Sequence, residues 1–414
     1  MMKKTISASA LCLLTLISAA QSVTYDQFSR LVAEKNIGYL AQKYDIDKSE
    51  ASLQAARVFN DPELSVTYGN NQDWDLQMGQ SVEVGLSVNP DLAGVRRARI
   101  AVAGTENELT KASVAAYLTN LRFEAAQAWA EAWQLRESCA VLEKSLADLE
   151  QIAQSDSLRF SLGDISRADA MQSRLEAQTL KGALATMRAD YVNALSTVSV
   201  FCGGQSIDDI SGNLSSDFPV PPESEITSLA EINRADLKAA QLSKTLSENN
   251  LKLLRASRAF ELGIDIGYSY NKEVLNEIAP APRFNGLSVG VTIPLKFSSF
   301  NKGEVHAAQA DILQSEKYYE QACLQVRSEA SQAYKSLVAA VSVRSQYTDS
   351  ILEDTEDIMR ARKTGYLKGE SSLVELLSAQ QTYFDVMQSY INACCNSFLC
   401  MARLEQATGC IFSR

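Results

Sequence analysis

Two acids in matching surroundings are the residues of this sequence best placed to act on something. Asp169 lies in FSLGDISRADAMQSRLEAQ (160–178), and Glu375 lies in YLKGESSLVELLSAQQTYF (366–384), 206 residues later. In each stretch an aromatic residue is followed, at steps of three, by Gly, Ser and an acid: Phe160, Gly163, Ser166, Asp169, and then Tyr366, Gly369, Ser372, Glu375. The Gly supplies the permissive backbone that ends one helix in a sharp corner. The Ser with an acid three residues on is a capping box that starts the next helix. Each carboxylate therefore has two readings. It stabilises a helix start, by roughly 0.5 to 2 kcal/mol for a good cap, or it is repeated around a narrow axis as a ring that favours cations and disfavours anions.

Little else in the chain suits catalysis. Its one histidine, His306, falls in the first turns of a long helical stretch, where a solvated surface position is expected. No Ser, Cys or metal constellation with hydrolytic or redox spacing accompanies it, so an enzyme is not expected. Cys394, Cys395 and Cys400 lie in an apolar helical stretch with no His nearby, which reads as buried thiols rather than a metal site, and no cofactor is expected. Cys202 and Cys410 close matching parts of the chain, an arrangement that suits a disulfide or burial at helix ends equally well.

The elements that carry these residues follow from the leader, the prolines and the periodicity. MMKKTISASALCLLTLISAAQS has two lysines, an apolar run and small residues, and it reads as a secretory signal over 1–20 with the mature chain starting near Gln21. A lipid anchor at Cys12 fits poorly, because Leu11 sits where a small residue is wanted. Loss of Lys3 and Lys4 leaves 37 basic against 50 acidic residues, a formal charge of −13, which argues against a nucleic-acid partner. Seven cysteines then remain, an odd number that rules out a complete intramolecular disulfide framework. No later stretch approaches the ~20 apolar residues of a membrane helix, so any crossing of a bilayer must use strands.

All eight prolines fall in three zones, which leaves 91–218 and 295–414 free for very long helices. In the first zone Val114, Leu118, Leu121, Ala125, Ala128, Ala132, Leu135, Cys139, Leu142, Leu146, Leu149 and Ala153 step by four and three, a coiled-coil seam. The second zone repeats it with Tyr319, Cys323, Val326, Ala330, Ala333, Leu337 and Ala340. A continuous helix from Arg96 to Arg159 would be a rod of about 95 Å.

Before each rod the period changes to two. PELSVTYGN (62–70) with QSVEVGLSVNP (80–90), and FELGIDIGYSYN (260–271) with NGLSVGVTIPL (285–295), read as two hairpins with Tyr68, Tyr268, Tyr270 and Phe284 near strand ends. Such strands suit a transmembrane barrel, and they also suit an exposed hairpin on a water-soluble helical protein. Four strands cannot close a barrel, so a membrane reading forces oligomerisation. Residues 36–64 align with 234–262, which makes the chain a duplication: a first repeat over 21–216, a linker over 217–224 and a second repeat over 225–414. Each repeat reads as helix, hairpin, long helix, corner and returning helix.

These features together resemble the TolC-type outer membrane efflux proteins. The likeness rests on the two corners, on PDLAGVRRARIAVAG and IPLKFSSFNKGEVHAAQADI after the hairpins, and on INRADLKAAQL at the start of the second half. It implies a mainly α fold with a small β part: duplicated long-helix coiled-coil hairpins forming an α-barrel, and four strands per chain in a trimeric twelve-stranded transmembrane β-barrel. The implied function is an outer membrane channel with a periplasmic helical extension, the outlet of a tripartite efflux or export system, with a periplasmic adaptor and an inner-membrane transporter as partners. The resemblance places Glu375 at the acidic periplasmic entrance, with Asp169 as its counterpart in the first half. The sequence departs from the family pattern at two positions, with Ser378 at a second acidic site and Ser371 at the basic residue of the entrance latch. Arg167, Lys368 and Tyr366 are the other latch candidates. Leu162, Gly163, Ser166, Gly369 and Ser372 form the implied adaptor-docking tip. A type I protein-secretion outlet would use the same tunnel, and a non-transport periplasmic coiled-coil scaffold is the alternative of a different class.

Overall fold

The computed structural model describes residues 22–73, 77–214, 222–259, 261–297 and 302–412. The leader (1–20), most of the linker (217–224) and residues 298–300 after the second hairpin lie outside them. The first half runs β1 (Ser22–Val23), α1 (Tyr25–Lys35), α2 (Ile37–Ala56), β2 (Glu63–Asn70), β3 (Gln80–Val88), α3 (Val95–Leu162) and α4 (Arg167–Phe201). It ends in β4 (Asp209–Ile210), which pairs in parallel with β1. The second half runs α5 (Glu223–Asn233), α6 (Ala235–Ser257), β5 (Gly263–Asn271), β6 (Phe284–Thr292), α7 (Gly303–Arg344), α8 (Asp349–Lys368) and α9 (Leu373–Thr408).

The seam reading holds along both rods. Each of its positions is buried or half-buried, with Ala125, Ala132, Ala330 and Leu337 among the most enclosed. Small seam residues let α3 lie close to its neighbours α4, α6 and α9, while α7 packs on α6 and α9. Where β1 and β4 meet the helices the core turns aromatic: Phe28 stacks on Trp129 at 5.0 Å, and Tyr25 meets Phe398 edge-on at 4.9 Å. The Trp133 indole N–H donates to the Gly212 carbonyl (3.1 Å), which ties the chain after β4 to α3.

The expected element order needs two corrections. Two helices rather than one precede each hairpin, and the second rod is broken: α3 is 68 residues without interruption, but α7 stops at Arg344 and α8 begins at Asp349. No proline or glycine makes this break. One step of four after Ala340, the seam position is Arg344, a buried cation where the pattern wants an apolar residue. The backbone turns at Gln346 and Tyr347, the Tyr347 ring rests 6.1 Å from that of Tyr390, and Thr348 in extended conformation opens α8. The stripe resumes at Leu352, Thr355 and Met359, one residue out of step.

Candidate functional site

Two regions concentrate the features that the sequence singled out: the sheet and the corner end. The four strands form one antiparallel sheet in the order β2-β3-β5-β6, so the hairpins of the two halves pair through β3 and β5. Its register sorts the faces except at one end, where Asn285 joins the apolar face and Phe284 the polar one. One face carries the rows Leu64–Leu86–Ile266–Val289, Val66–Val84–Tyr268–Leu287 and Val88–Ile264–Val291. The other carries Ser65–Gly85–Gly267–Ser288 and Thr67–Glu83–Ser269–Gly286. On the polar face the Asp265 carboxylate accepts from the Ser87 and Thr292 hydroxyls, each at 2.6 Å. The apolar face is exposed, Leu287 at 77% and Val289 at 72%. Among the described residues strands β2 and β6 each have one partner only, so both edges of the sheet are open.

The two corners meet at one end of the long helices, where Leu149 and Ile152 of α3, Ala177 of α4, Tyr366 of α8 and Leu373 and Leu376 of α9 share a core. At both corners the chain reverses through the same backbone. Gly163 has φ 83° and Gly369 has φ 81°, left-handed values open to glycine. The Asp164 N–H donates to the Arg159 carbonyl (2.9 Å) and the Glu370 N–H to the Gly365 carbonyl (2.8 Å), which closes each helix end. The side chains then differ. Glu375 completes the box: its N–H donates to the Ser372 hydroxyl (3.3 Å), and its carboxylate accepts from the Ser372 N–H (3.0 Å). Asp169, one methylene shorter, makes only half of it. Its N–H donates to the Ser166 hydroxyl (3.1 Å), but its carboxylate accepts from that same hydroxyl (2.7 Å) instead of reaching the backbone.

The remaining candidates separate by burial. Arg167 and Lys368 are exposed, as is Leu162 at 69%. Ser371 is half-buried, with its hydroxyl so near Gly365 that a Cβ there would lie 2.5 Å from it. Tyr366 is buried, and its hydroxyl donates to Asp156 Oδ1 (2.8 Å). Burial, with the Asp156 carboxylate second, pushes the Tyr366 hydroxyl above the usual tyrosine range.

Sequence reasoning missed the partner. Asp156 is fully buried, and its Oδ2 accepts no hydrogen bond among the described residues. One further step of three along the seam from Ala153 reaches it, and a carboxylate at a seam position was the available signal. Arg362 was also missed. Its guanidinium lies 3.8 Å from Glu375, an exposed pair worth little on its own. Lys363 reaches Asp148 (2.5 Å) and Lys144 reaches Glu356 (2.8 Å), so α8 is held to α3 by a ladder of polar links. The bond to Glu356 raises the Lys144 ammonium above its ordinary value.

The cysteines and the histidine carry no site geometry. Cys394 and Cys395 are buried, and burial pushes the Cys395 thiol up to about 12, far from a reactive thiolate. Cys202 and Cys410 are both free thiols rather than a pair. His306 is exposed in the first turn of α7.

Comparison with known proteins bears on the whole chain. Residues 226–409 match the outer membrane efflux protein family. The cobalt-zinc-cadmium resistance protein CzcC of Cupriavidus metallidurans is 23% identical over 396 residues, 94% of this chain and 91% of CzcC. The chain's second half thus matches the pattern of the outer membrane efflux proteins, the family that the two corners resemble. The chain's fold is that of known channels. The outer membrane protein VceC of Vibrio cholerae superposes with a TM-score of 0.73 at 14% identity, over 94% of this chain and 96% of VceC. The open-state outer membrane channel MtrE of Neisseria gonorrhoeae gives 0.74 at 15% identity, over 94% and 89%. As in its relatives, which are channels, no catalytic step is assigned to it.

Proposed function

We propose that three copies of this chain close a twelve-stranded barrel in the outer membrane, above a helical tunnel that crosses the periplasm, and that the assembly is the passive outlet of a tripartite efflux system. One observation carries this reading: a sheet with a mainly apolar exposed face, a mostly small and polar opposite face, and, among the described residues, two open edges. In lipid an open edge leaves backbone groups unpaired, so β2 of one copy must meet β6 of the next. A water-soluble scaffold gives no reason to expose so large an apolar face.

The corner end is then the periplasmic entrance. Asp169 and Glu375, three of each around the axis, set a local negative potential there. Leu162, Gly163, Ser166, Gly369 and Ser372 form the tip that a periplasmic adaptor and its inner-membrane transporter engage. Tyr366 and Asp156 anchor the corner within each chain, while Arg167, Lys368 and Ser371 are the latch candidates at the tip. The likeness to CzcC makes divalent metal cations the first cargo to test. A type I protein-secretion outlet is the narrower rival within the same architecture.

The test is fractionation followed by conductance. The protein is expected in the outer membrane, as a heat-modifiable trimer that conducts ions in planar bilayers. A monomer that extracts without detergent and conducts nothing would sink the proposal.

A further inference from the structure

The apolar stripe of the sheet does not stop where its ladder of hydrogen bonds stops. On β6 the alternation Leu287, Val289, Val291 runs on through Ile293 and Leu295 to Phe297, and after β3 it passes Pro90 to Leu92. Both extensions end in the same tight turn. The Leu92 N–H donates to the Pro90 carbonyl (3.0 Å) and the Phe297 N–H to the Leu295 carbonyl (2.9 Å), and both side chains are left exposed. From Leu287 to Leu295 is about 26 Å of strand. At a tilt of about 40° that is roughly 20 Å of depth, so Leu295 and Phe297 fall at the edge of an apolar band of about 25 Å.

Basic side chains begin at that edge. The Arg96 guanidinium lies 4.0 Å from the centre of the exposed Phe59 ring and donates through Nε to the Arg57 carbonyl (2.8 Å). Such a cation on an aromatic face has an apolar body and a wet, charged end. Arg57, Arg97 and Lys302 are exposed nearby and have no ion-pair partner among the described residues. The acids of this rim are mostly engaged elsewhere. Asp91 caps α3 through the N–H groups of Val95 (2.8 Å) and Arg96 (2.7 Å), Glu261 pairs with Lys296, and Glu304 pairs with Arg258. Among the described residues, Asp61 and Glu63, the latter on the polar face at the start of β2, are left to oppose three unpaired cations.

We propose that this rim, where the sheet meets α3 and α7, is a collar that binds glycerophospholipid of the membrane's inner leaflet. Leu92, Leu295, Phe297 and Phe59 lie against the upper acyl chains, while Arg57, Arg97 and Lys302 take the phosphates and prefer anionic headgroups. The assignment rests on the barrel reading above. It adds a partner for a surface that a closed barrel leaves uncovered, and charge complementarity and continuity with the lipid-facing stripe both point to lipid rather than to another chain.

The experiment uses the full chain and two vesicle compositions, phosphatidylcholine alone and equal parts phosphatidylcholine and phosphatidylglycerol. Flotation reads incorporation, and native mass spectrometry of protein released from the mixed vesicles reads which lipid stays bound. The expected result is incorporation into both, with phosphatidylglycerol retained over phosphatidylcholine by at least about fivefold, the factor that one basic residue near an anionic surface supplies. In a variant combining Arg57→Gln, Arg97→Gln and Lys302→Gln, incorporation should persist and the retention ratio should fall to near one. A ratio near one in the unaltered protein, or an unchanged ratio in the variant, overturns the collar and leaves the barrel standing. Failure to enter either vesicle overturns both.

Discussion

The two halves of the chain build one junction with two chemistries. Where α1 gives way to α2, Asn36 is held at φ −62°, ψ 118°, and where α5 gives way to α6, Arg234 is held at φ −67°, ψ 116°. Each reaches across to the end of its own half: the Asn36 amide donates to the Phe201 carbonyl (3.2 Å), and Arg234 Nη1 donates to the Ala407 carbonyl (3.4 Å). Each is faced by a left-handed glycine at φ 71°, Gly203 or Gly409, where a Cβ would strike the carbonyl of Lys35 at 2.5 Å or of Asn233 at 2.9 Å. The backbone path is common to both halves and the side chains are not. Asn36 is a neutral cap that accepts from the Tyr39 N–H (2.9 Å), whereas Arg234 is a mostly buried cation between Asp236 and Glu329. Both halves keep the same backbone shape at this junction, and they hold it with different side chains.

Substitution at this pair should separate the two solutions most strongly. Arg234→Ala leaves two carboxylates without their cation in a partly buried place and should cost about 3 kcal/mol. Asn36→Ala removes a cap and one hydrogen bond and should cost about 1 kcal/mol. Denaturant unfolding in detergent, with trimer content followed in parallel, measures both. Equal losses would mean that the shared glycine corner, rather than the polar anchor, determines the stability of each junction.

The aromatic residues of the two corners give the next contrast. Phe160 is partly exposed, whereas Tyr366 is buried and donates to a carboxylate that has no other hydrogen bond among the described residues. Phe160→Ala should be nearly silent. Tyr366→Phe should cost about 2 kcal/mol, because it strips the buried Asp156 of its donor. The sign with pH follows from the raised Tyr366 hydroxyl. A group whose folded pKa lies above its unfolded value, near 10 for tyrosine, contributes fully below that value and less as pH climbs past it. The gap between the unaltered protein and Tyr366→Phe should therefore be constant from about pH 7 to 10 and should narrow above it. A gap that widens in alkali would assign the hydroxyl a different partner.

These residues also mark how far the sequence could be read. The seams, the strands and the corners were legible because each is a periodic or local pattern: steps of three and four, alternation, or Gly followed by Ser and an acid. The α7–α8 break was not, because its cause is one cation in a seam position together with the contact of Tyr347 and Tyr390, which are far apart in the chain. The pairing of β1 with β4 rests on two residues a side, too short for any period. At the corners the capping box was foreseen, and it is complete at Glu375 and half made at Asp169, but the link between Asp156 and Tyr366 spans 210 residues, and only the folded chain brings them together.

The smallest effect tests the two readings of the acids. The Glu375 carboxylate accepts from the cap's backbone N–H, whereas the Asp169 carboxylate accepts from the Ser166 hydroxyl, so each acid makes one bond to its cap. Glutamine preserves the reciprocal bonds of a box, since either Glu or Gln suits that position. Glu375→Gln should therefore change stability by less than about 0.5 kcal/mol, and Asp169→Asn should do the same. If the acids form rings at the entrance, each substitution lowers the preference for cations over anions in planar-bilayer reversal potentials. Asp169→Asn should lower it more, because Arg362 already offsets part of the Glu375 charge at 3.8 Å. Unchanged selectivity in both, with weakened trimers, would reduce the carboxylates to helix caps.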